Sequence, residues 1–209
     1  MDRIYLDRLI IFISSILGIL LILFGGIKTP ENFRIISDLV QNFLLLNIIV
    51  IIFMPNKKSI KISIFIGIFV LILDFLIETI AVYLNWWYPL GGIQFPPILV
   101  IPLEMVLSFF IIGVSFTILL TYPEKIRKMD FKFLNWIKFL FNNPKLDILW
   151  QILLVFINAL IGMMGDYSVG SQIWRPGPHW IPFYTFLVWL IGGFITLLLY
   201  KFLNSKIKK

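Results

Sequence analysis

The chain alternates long apolar runs with short polar connections. The apolar runs occupy residues 9–27, 35–53, 62–84, 98–122, 148–164 and 181–200. Each run comes close to the ~20 residues that a helix needs to cross ~30 Å of hydrocarbon. The runs are apolar on every face and not at alternate positions, which argues against a transmembrane β-barrel. Because lipid offers the backbone no hydrogen-bond partner, the pattern predicts an all-α, polytopic membrane bundle of about six transmembrane helices, forming a single domain over residues 1–209.

Composition supports the same class of protein. Hydrophobic residues make up 60% of the 209 residues and charged residues 14%, with a mean hydropathy of +0.97. Soluble domains have ~45–50% apolar and ~25% charged residues, so a water-soluble fold is excluded. The first run is long for a signal peptide and lacks a convincing small-residue cleavage site, so we treat it as a span. The absence of cysteine excludes disulfides, thiolate catalysis and cysteine metal ligands.

The basic residues predict the orientation of the chain. If the six runs are spans, all but three of the eighteen Lys and Arg residues fall on the side that holds both termini. The opposite side carries only Lys28, Arg34 and Arg175. Loops rich in Lys and Arg stay in the cytoplasm, so both termini are predicted to be cytoplasmic in a multi-pass protein of the cell membrane. The net charge of +7 then reflects topology, and no nucleic-acid partner is predicted.

The longest connection, residues 123–147, is basic and contains Trp136 among other apolar residues. Two interpretations stay open for this cytoplasmic segment. It is either an amphipathic helix that lies on the lipid headgroups or a basic loop that enforces topology.

The two outer loops show a faint internal repeat. The series Asp74, Trp87-Tyr88-Pro89 and Ile101-Pro102-Leu103-Glu104 is followed by the series Asp166, Trp174-Arg175-Pro176 and Ile181-Pro182-Phe183-Tyr184. Order and chemistry match, but the intervals are shorter in the second series, so common ancestry and coincidence both stay open. If the two halves share an ancestor, the repeat is parallel, because the third and fifth spans run in the same direction.

Acidic residues inside the predicted spans are candidate catalytic groups, because an ionisable residue in a span costs ~2.5–3.5 kcal/mol. Asp74 and Glu78 share one helical face, one turn apart. Glu78 and Glu104 each lie roughly six residues, about 9 Å, inside the outer end of their span, which predicts a shared site. Hydrogen bonding between helices is the alternative role for each acid.

A pair of buried acids of this kind can act in acid catalysis. Two carboxyls in a water-poor site keep at least one proton between them, so that one acts as an acid. The rings of Trp87 and Tyr88, in an uncharged loop, stabilise cations in a dry pocket by ~2 kcal/mol or more. An interfacial aromatic belt is the alternative explanation for these rings.

The second outer loop supplies further candidate substrate contacts, which are Asp166, Trp174, Arg175 and Tyr184. His179 is expected at the surface. A single histidine without a recognisable ligand spacing predicts no metal site.

The first of the two series resembles a known family. From Asp74 through Trp87-Tyr88-Pro89 to Ile101-Pro102-Leu103-Glu104, it resembles the repeated motif of the small membrane-bound lycopene cyclases of archaea, fungi and some bacteria, and it is similar to the related carotenoid hydratases. The second half resembles that motif less. Met105 follows Glu104 where the cyclases carry a second acid, and Tyr184 stands where an acid is expected in the second copy.

The resemblance implies a non-redox enzyme of isoprenoid or carotenoid metabolism, either a cyclase-like isomerase or a hydratase-like lyase. A protonated carboxyl adds a proton to a polyene double bond, and rings stabilise the carbocation. Glu104 and Glu78 are assigned as acid and base and Asp74 as the group that tunes them. The implied substrate is a lipophilic polyprenoid that enters from membrane lipid, and no cofactor or metal is implied.

Other functions stay open. Six spans in about two hundred residues also suit a small-solute transporter, or the substrate-binding membrane component of one, in which the acids bind a cation or couple protons. A scaffold without a site is the third alternative. The sequence permits a homo-oligomer in each case.

Overall fold

A computed structural model describes residues 30–53, 55–90, 100–121, 145–166 and 174–207 together with positions 13, 16, 123 and 143, and gives only the backbone for 30–38 and 41. These residues form five helices and two short strands: α1 (Pro30–Phe53), α2 (Lys57–Tyr83), β1 (Trp87–Pro89), α3 (Leu103–Leu120), α4 (Lys145–Gly165), β2 (Trp174–Pro176) and α5 (Pro182–Lys206). The first predicted span, apart from positions 13 and 16, lies outside the described residues. So does the connection 123–147, with either interpretation of it, apart from positions 123, 143 and 145–147.

The described part of the chain is mostly helical, as the sequence predicted. Four helices, α2 to α5, are long and apolar enough to cross a membrane, which is consistent with a membrane protein. In α1 the apolar part, Asn42–Phe53, is shorter. The two strands were not predicted.

Local chemistry sets where the helices begin. Before α2, the side chain of Asn56 accepts a hydrogen bond from the Ser59 amide at 2.8 Å. α3 begins at Leu103, after an extended Pro102, and not at residue 98 as predicted. Proline lacks the amide donor and excludes helical geometry from the residue before it, which explains the late start. Glu104 therefore lies in the first turn of α3.

α3 is the central helix of the described bundle. Within the apolar stretch of α3, 67% of residues are buried, against at most 28% in each of the other three spanning helices. α2 approaches α3 closely at two glycines, since a Cβ on Gly113 would lie 3.2 Å from the Cα of Gly67. The outward face of α2 is apolar and exposed, as expected of a surface solvated by lipid, and includes Ile64, Phe65, Ile68, Ile72, Leu76 and Ile80.

The two strands bring the two outer loops together. β1 lies between α2 and α3 in the chain, and β2 lies between α4 and α5. The strands pair antiparallel, with Trp87 opposite Pro176, Tyr88 opposite Arg175 and Pro89 opposite Trp174. Each Trp-x-Pro segment therefore faces the other in reverse order, so that a local two-fold axis passes through the central pair. The bundle thus joins two helix–strand–helix units through their strands.

Candidate functional site

A cavity of about 370 Å³, here called the aromatic cavity, lies between the helices and the paired strands. Its volume falls in the range of pockets that hold small ligands. Tryptophan dominates its walls, with Trp86, Trp87, Trp174, Trp180 and Trp189 all contributing.

The rings of this cavity hold one another in place. Trp174 lies 5.9 Å from Trp87 and 5.3 Å from Trp180, measured between ring centroids, and the second contact is edge-to-face. Trp86 stacks on Tyr184 at 5.6 Å. Trp87 and Trp174 are both buried. Edge and face contacts of this kind stabilise the packing of the rings beyond the burial of each one.

Strand geometry decides which of the predicted contacts reach the cavity. Successive side chains of a strand point to opposite faces. Trp87 and Trp174 therefore face the cavity, whereas Tyr88 and Arg175 are exposed and do not line it. The Tyr88 hydroxyl donates instead to the side chain of Asn85 at 2.9 Å. The predicted wall of Trp87 and Tyr88 is thus a wall of Trp87 and Trp174.

Two carboxyl groups line the aromatic cavity, and an indole N–H orients each of them. Glu78 on α2 is hydrogen-bonded by Trp87, while its Oε2 atom is buried and has no hydrogen-bond partner among the described residues. Asp166, just after α4, accepts a hydrogen bond from Trp189 Nε1 at 2.8 Å. The two helix–strand–helix units therefore supply one acid each to the same cavity.

A second cavity of about 70 Å³, here called the small cavity, adjoins the first. Glu78, Phe109, Asn158 and Trp189 line both cavities. Asp74, one helical turn from Glu78, lines only the small cavity. Asp74 is 8% exposed, and its Oδ2 atom has no hydrogen-bond partner in the described structure.

The charges of Asp74, Glu78 and Asp166 act on one another. Among the described residues that line the two cavities, no lysine or arginine is present to offset them. Burial of a charged carboxylate is costly, so protonation of these groups or a cation beside them would lower the free energy of the site. Within the described ranges, no group of three or more acidic or histidine side chains is arranged to hold a metal ion.

Glu104 lies apart from this arrangement. It is buried in the first turn of α3 and is not among the residues that line either cavity, although Met105 and Ser108 line the aromatic one. The estimate that put Glu104 and Glu78 at equal depth counted helical residues from position 98, whereas the helix begins at Leu103. The acids brought together with Glu78 are Asp74 and Asp166.

Three further residues named from the sequence, Trp174, Tyr184 and His179, are also described by the structure. Trp174 and Tyr184 line the aromatic cavity as predicted substrate contacts would, and His179 is exposed as expected.

Several residues of the site were not predicted. Trp189 and Asn158 line both cavities, and Phe109 stacks on Trp189 at 5.4 Å. Gly162 leaves room for this indole, because a Cβ at that position would clash with the Trp189 ring. The sequence did contain a signal that could have identified them. Trp189 and Asn158 both lie far inside predicted spans, away from the interfaces where tryptophan concentrates.

Comparison of the chain with protein-family models, with curated proteins and with solved structures finds no match. The site is therefore interpreted from its own geometry.

Proposed function

We propose that the protein is a membrane enzyme of isoprenoid or carotenoid metabolism that protonates a double bond of a lipophilic polyprenoid. The position of Glu78 carries this proposal. Its carboxyl lines an aromatic cavity, is held by Trp87 and keeps one buried oxygen without a partner. An acid in this setting is oriented for proton transfer to a bound hydrocarbon.

In the proposed reaction Glu78 is the acid. Its proton forms a new C–H bond at the less substituted carbon of a terminal double bond, which leaves a tertiary carbocation. The faces of Trp87 and Trp174 stabilise that cation, by about 2 kcal/mol or more in a desolvated pocket. General acid catalysis of this kind contributes ~10²–10⁴-fold to a rate.

The carbocation has two fates. In a ring closure, as in a lycopene cyclase, the π electrons of a second double bond form a C–C bond to the cationic carbon, and the new cation then loses a proton to a carboxylate. Asp166, which lines the cavity, is the proposed proton acceptor. Addition of water gives an alcohol, as in a carotenoid hydratase. The resemblance assigns an acid–base role to Glu104. Because Glu104 lines neither cavity, the proposal gives the role of the acid to Glu78.

We further propose that the chain crosses the membrane six times with cytoplasmic termini, as the distribution of Lys and Arg predicts. The symmetric pairing of Trp87-Tyr88-Pro89 with Trp174-Arg175-Pro176 supports common ancestry of the two halves. The apolar outer faces of the helices suit a substrate that arrives from lipid.

The proposal is tested in cells that accumulate an acyclic polyene such as lycopene. Lipid extracts from cells with and without the full chain are compared by mass spectrometry. We expect a new cyclised or hydrated polyprenoid in the presence of the chain. An unchanged polyprenoid profile, with the protein present in the membrane fraction, would contradict the proposal.

A second candidate function is supported by the charge of the same cavity. Two acids, Glu78 and Asp166, line the cavity beside several indole faces, and such a wall also suits an organic cation. In that case the protein is a small-solute transporter or its substrate-binding component. Uptake of a labelled quaternary ammonium compound into cells with the chain, combined with an unaltered polyprenoid profile, would favour this function over the enzyme.

A further inference from the structure

The two cavities meet at residues that line both of them. Glu78, Phe109 and Trp189 are among these residues. Two of their rings stack on each other, since the ring centroids of Phe109 and Trp189 are 5.4 Å apart and the ring planes differ by 30°. The stacked pair, here called the aromatic floor, therefore joins α3 to α5 where the aromatic cavity borders the small cavity.

The neighbours of Trp189 hold the aromatic floor in place. Its Nε1 atom donates a hydrogen bond to Asp166 at 2.8 Å, and its ring lies so close to Gly162 that a Cβ there would clash with it. Trp189 thus contacts Phe109 on α3, Gly162 on α4 and Asp166 after α4. In a close-packed interior, contacts on several elements leave a large side chain few other positions.

The small cavity beyond the aromatic floor is mostly apolar. Val70, Leu73 and Phe116 line it, and an added Cβ on Gly192 of its wall would meet no atom within 4 Å. Its volume is about 70 Å³. Apolar surface of this kind accepts hydrocarbon in place of water, so the floor is what separates this space from a chain bound in the aromatic cavity.

We propose that the aromatic floor determines which double bond of the polyprenoid receives the proton. The inference rests on the proposed function and specifies its position on the substrate. A chain that enters the aromatic cavity end-first stops at the floor, with its terminal double bond beside Glu78, which lines both cavities. Without the floor the chain reaches into the small cavity and presents an internal double bond. Proton transfer needs close and oriented contact, so such a shift changes the reacting bond.

The test uses the full chain in lycopene-accumulating cells, with the modified double bond located by tandem mass spectrometry and NMR. We expect the wild-type protein to modify the terminal double bond. Product modified mainly at an internal double bond would overturn the inference and leave the proposed function standing. An unaltered polyprenoid profile would overturn the proposed function itself, and the inference with it.

Phe109→Ala removes one ring of the aromatic floor. We expect the ratio of internally to terminally modified product to rise about tenfold or more, because room for a few carbon atoms in an apolar pocket changes discrimination by about this factor. Phe110→Ala is the matched control. Phe110 is half-buried on α3, like Phe109, but lines neither cavity, so we expect the wild-type ratio.

A second substitution separates the aromatic floor from a general loss of packing. Gly192→Val fills the small cavity from α5, and in the double variant with Phe109→Ala we expect the wild-type ratio to return, because the chain no longer has space beyond the floor. A wild-type ratio in an active Phe109→Ala variant would overturn the inference. So would a double variant with the same raised ratio as Phe109→Ala alone.

If Phe109→Ala gives no product, Phe109→Leu is measured in its place, with the same expected rise in the ratio. Absence of product from both variants, while Phe110→Ala is active and protein levels in the membrane are equal, would also overturn the inference. In that case Phe109 would be needed for the reaction itself and not for the choice of double bond.

Discussion

Indole N–H groups orient the two acids of the aromatic cavity. Trp87 forms a hydrogen bond with Glu78, and Trp189 donates a hydrogen bond to Asp166 at 2.8 Å. An indole is a neutral donor, so it fixes the direction of a carboxyl without the full counter-charge that a lysine or arginine would bring. This arrangement fixes the direction of both carboxyls without adding a positive charge to the cavity wall.

Trp189→Phe tests this role for the second acid. Phenylalanine keeps an aromatic ring against Phe109 but removes the donor to Asp166. We expect a loss of about 1 kcal/mol in the free energy of unfolding, because a half-buried carboxylate loses one of its hydrogen bonds. Thermal unfolding of the purified protein in detergent measures this effect. A variant as stable as the wild type would show that the hydrogen bond does not hold Asp166.

Individual side chains could be predicted where the sequence shows a residue that is energetically costly to place inside a membrane span. Asp74 and Glu78 were found because an acid within a span is expensive. The directions of side chains were not predictable. Tyr88 was expected in the wall and is exposed, because a three-residue strand flanked by proline gives too short a pattern to reveal its alternation. Trp189 was overlooked because its helix is apolar on every side.

At the scale of elements, the paired strands close one side of the aromatic cavity. Gly177 extends the pairing, since its amide donates to the Trp86 carbonyl at 2.7 Å. At this point the two loops are so close that a Cβ on Gly177 would clash with the backbone carbonyl of Asn85. Asn85 itself has a φ of +57°, in the left-handed region that allows the turn.

Gly177→Ala is therefore expected to separate the loops and to destabilise the protein by about 1–3 kcal/mol. The matched control is Gly165→Ala, because a Cβ at Gly165 meets no atom within 4 Å. The control is expected to stay within about 0.5 kcal/mol of the wild type. Thermal unfolding in detergent compares the two variants. Equal stability of both would contradict the close approach of the strands.

The helices were predictable because lipid imposes both their length and their composition. The predicted run 62–84 corresponds to α2 (Lys57–Tyr83), and 181–200 corresponds to α5 (Pro182–Lys206). The boundary of α3 was less predictable. Hydropathy continues through Ile101 and Pro102, so only the stereochemistry of proline marks the true start. The strand pair depends on contacts between distant residues, which no local pattern encodes.

For the whole molecule, the two helix–strand–helix units form one site from parts that are far apart in the chain. Glu78 comes from the first unit and Asp166 from the second. A cavity built between two units is enclosed only when both are present, which explains why neither loop alone identifies the function.

The proposed topology predicts the location of reporters fused to the chain. Reporters placed within residues 123–147 and after residue 207 are expected in the cytoplasm, and one inserted after residue 91 is expected on the opposite side. Paired cytoplasmic and extracytoplasmic activity reporters measure this directly. A reporter after residue 91 on the same side as the C-terminus would contradict six spans with cytoplasmic termini.

The most direct test of the account is the Glu78→Gln substitution in lycopene-accumulating cells, with polyprenoid products measured by mass spectrometry. Glutamine keeps the shape of the side chain but cannot donate a carboxylic proton, so we expect product to fall by about 100-fold or more. Glu104→Gln, a change outside both cavities, is expected to have a smaller effect. Wild-type product from Glu78→Gln, at equal protein in the membrane, would contradict proton delivery from the aromatic cavity.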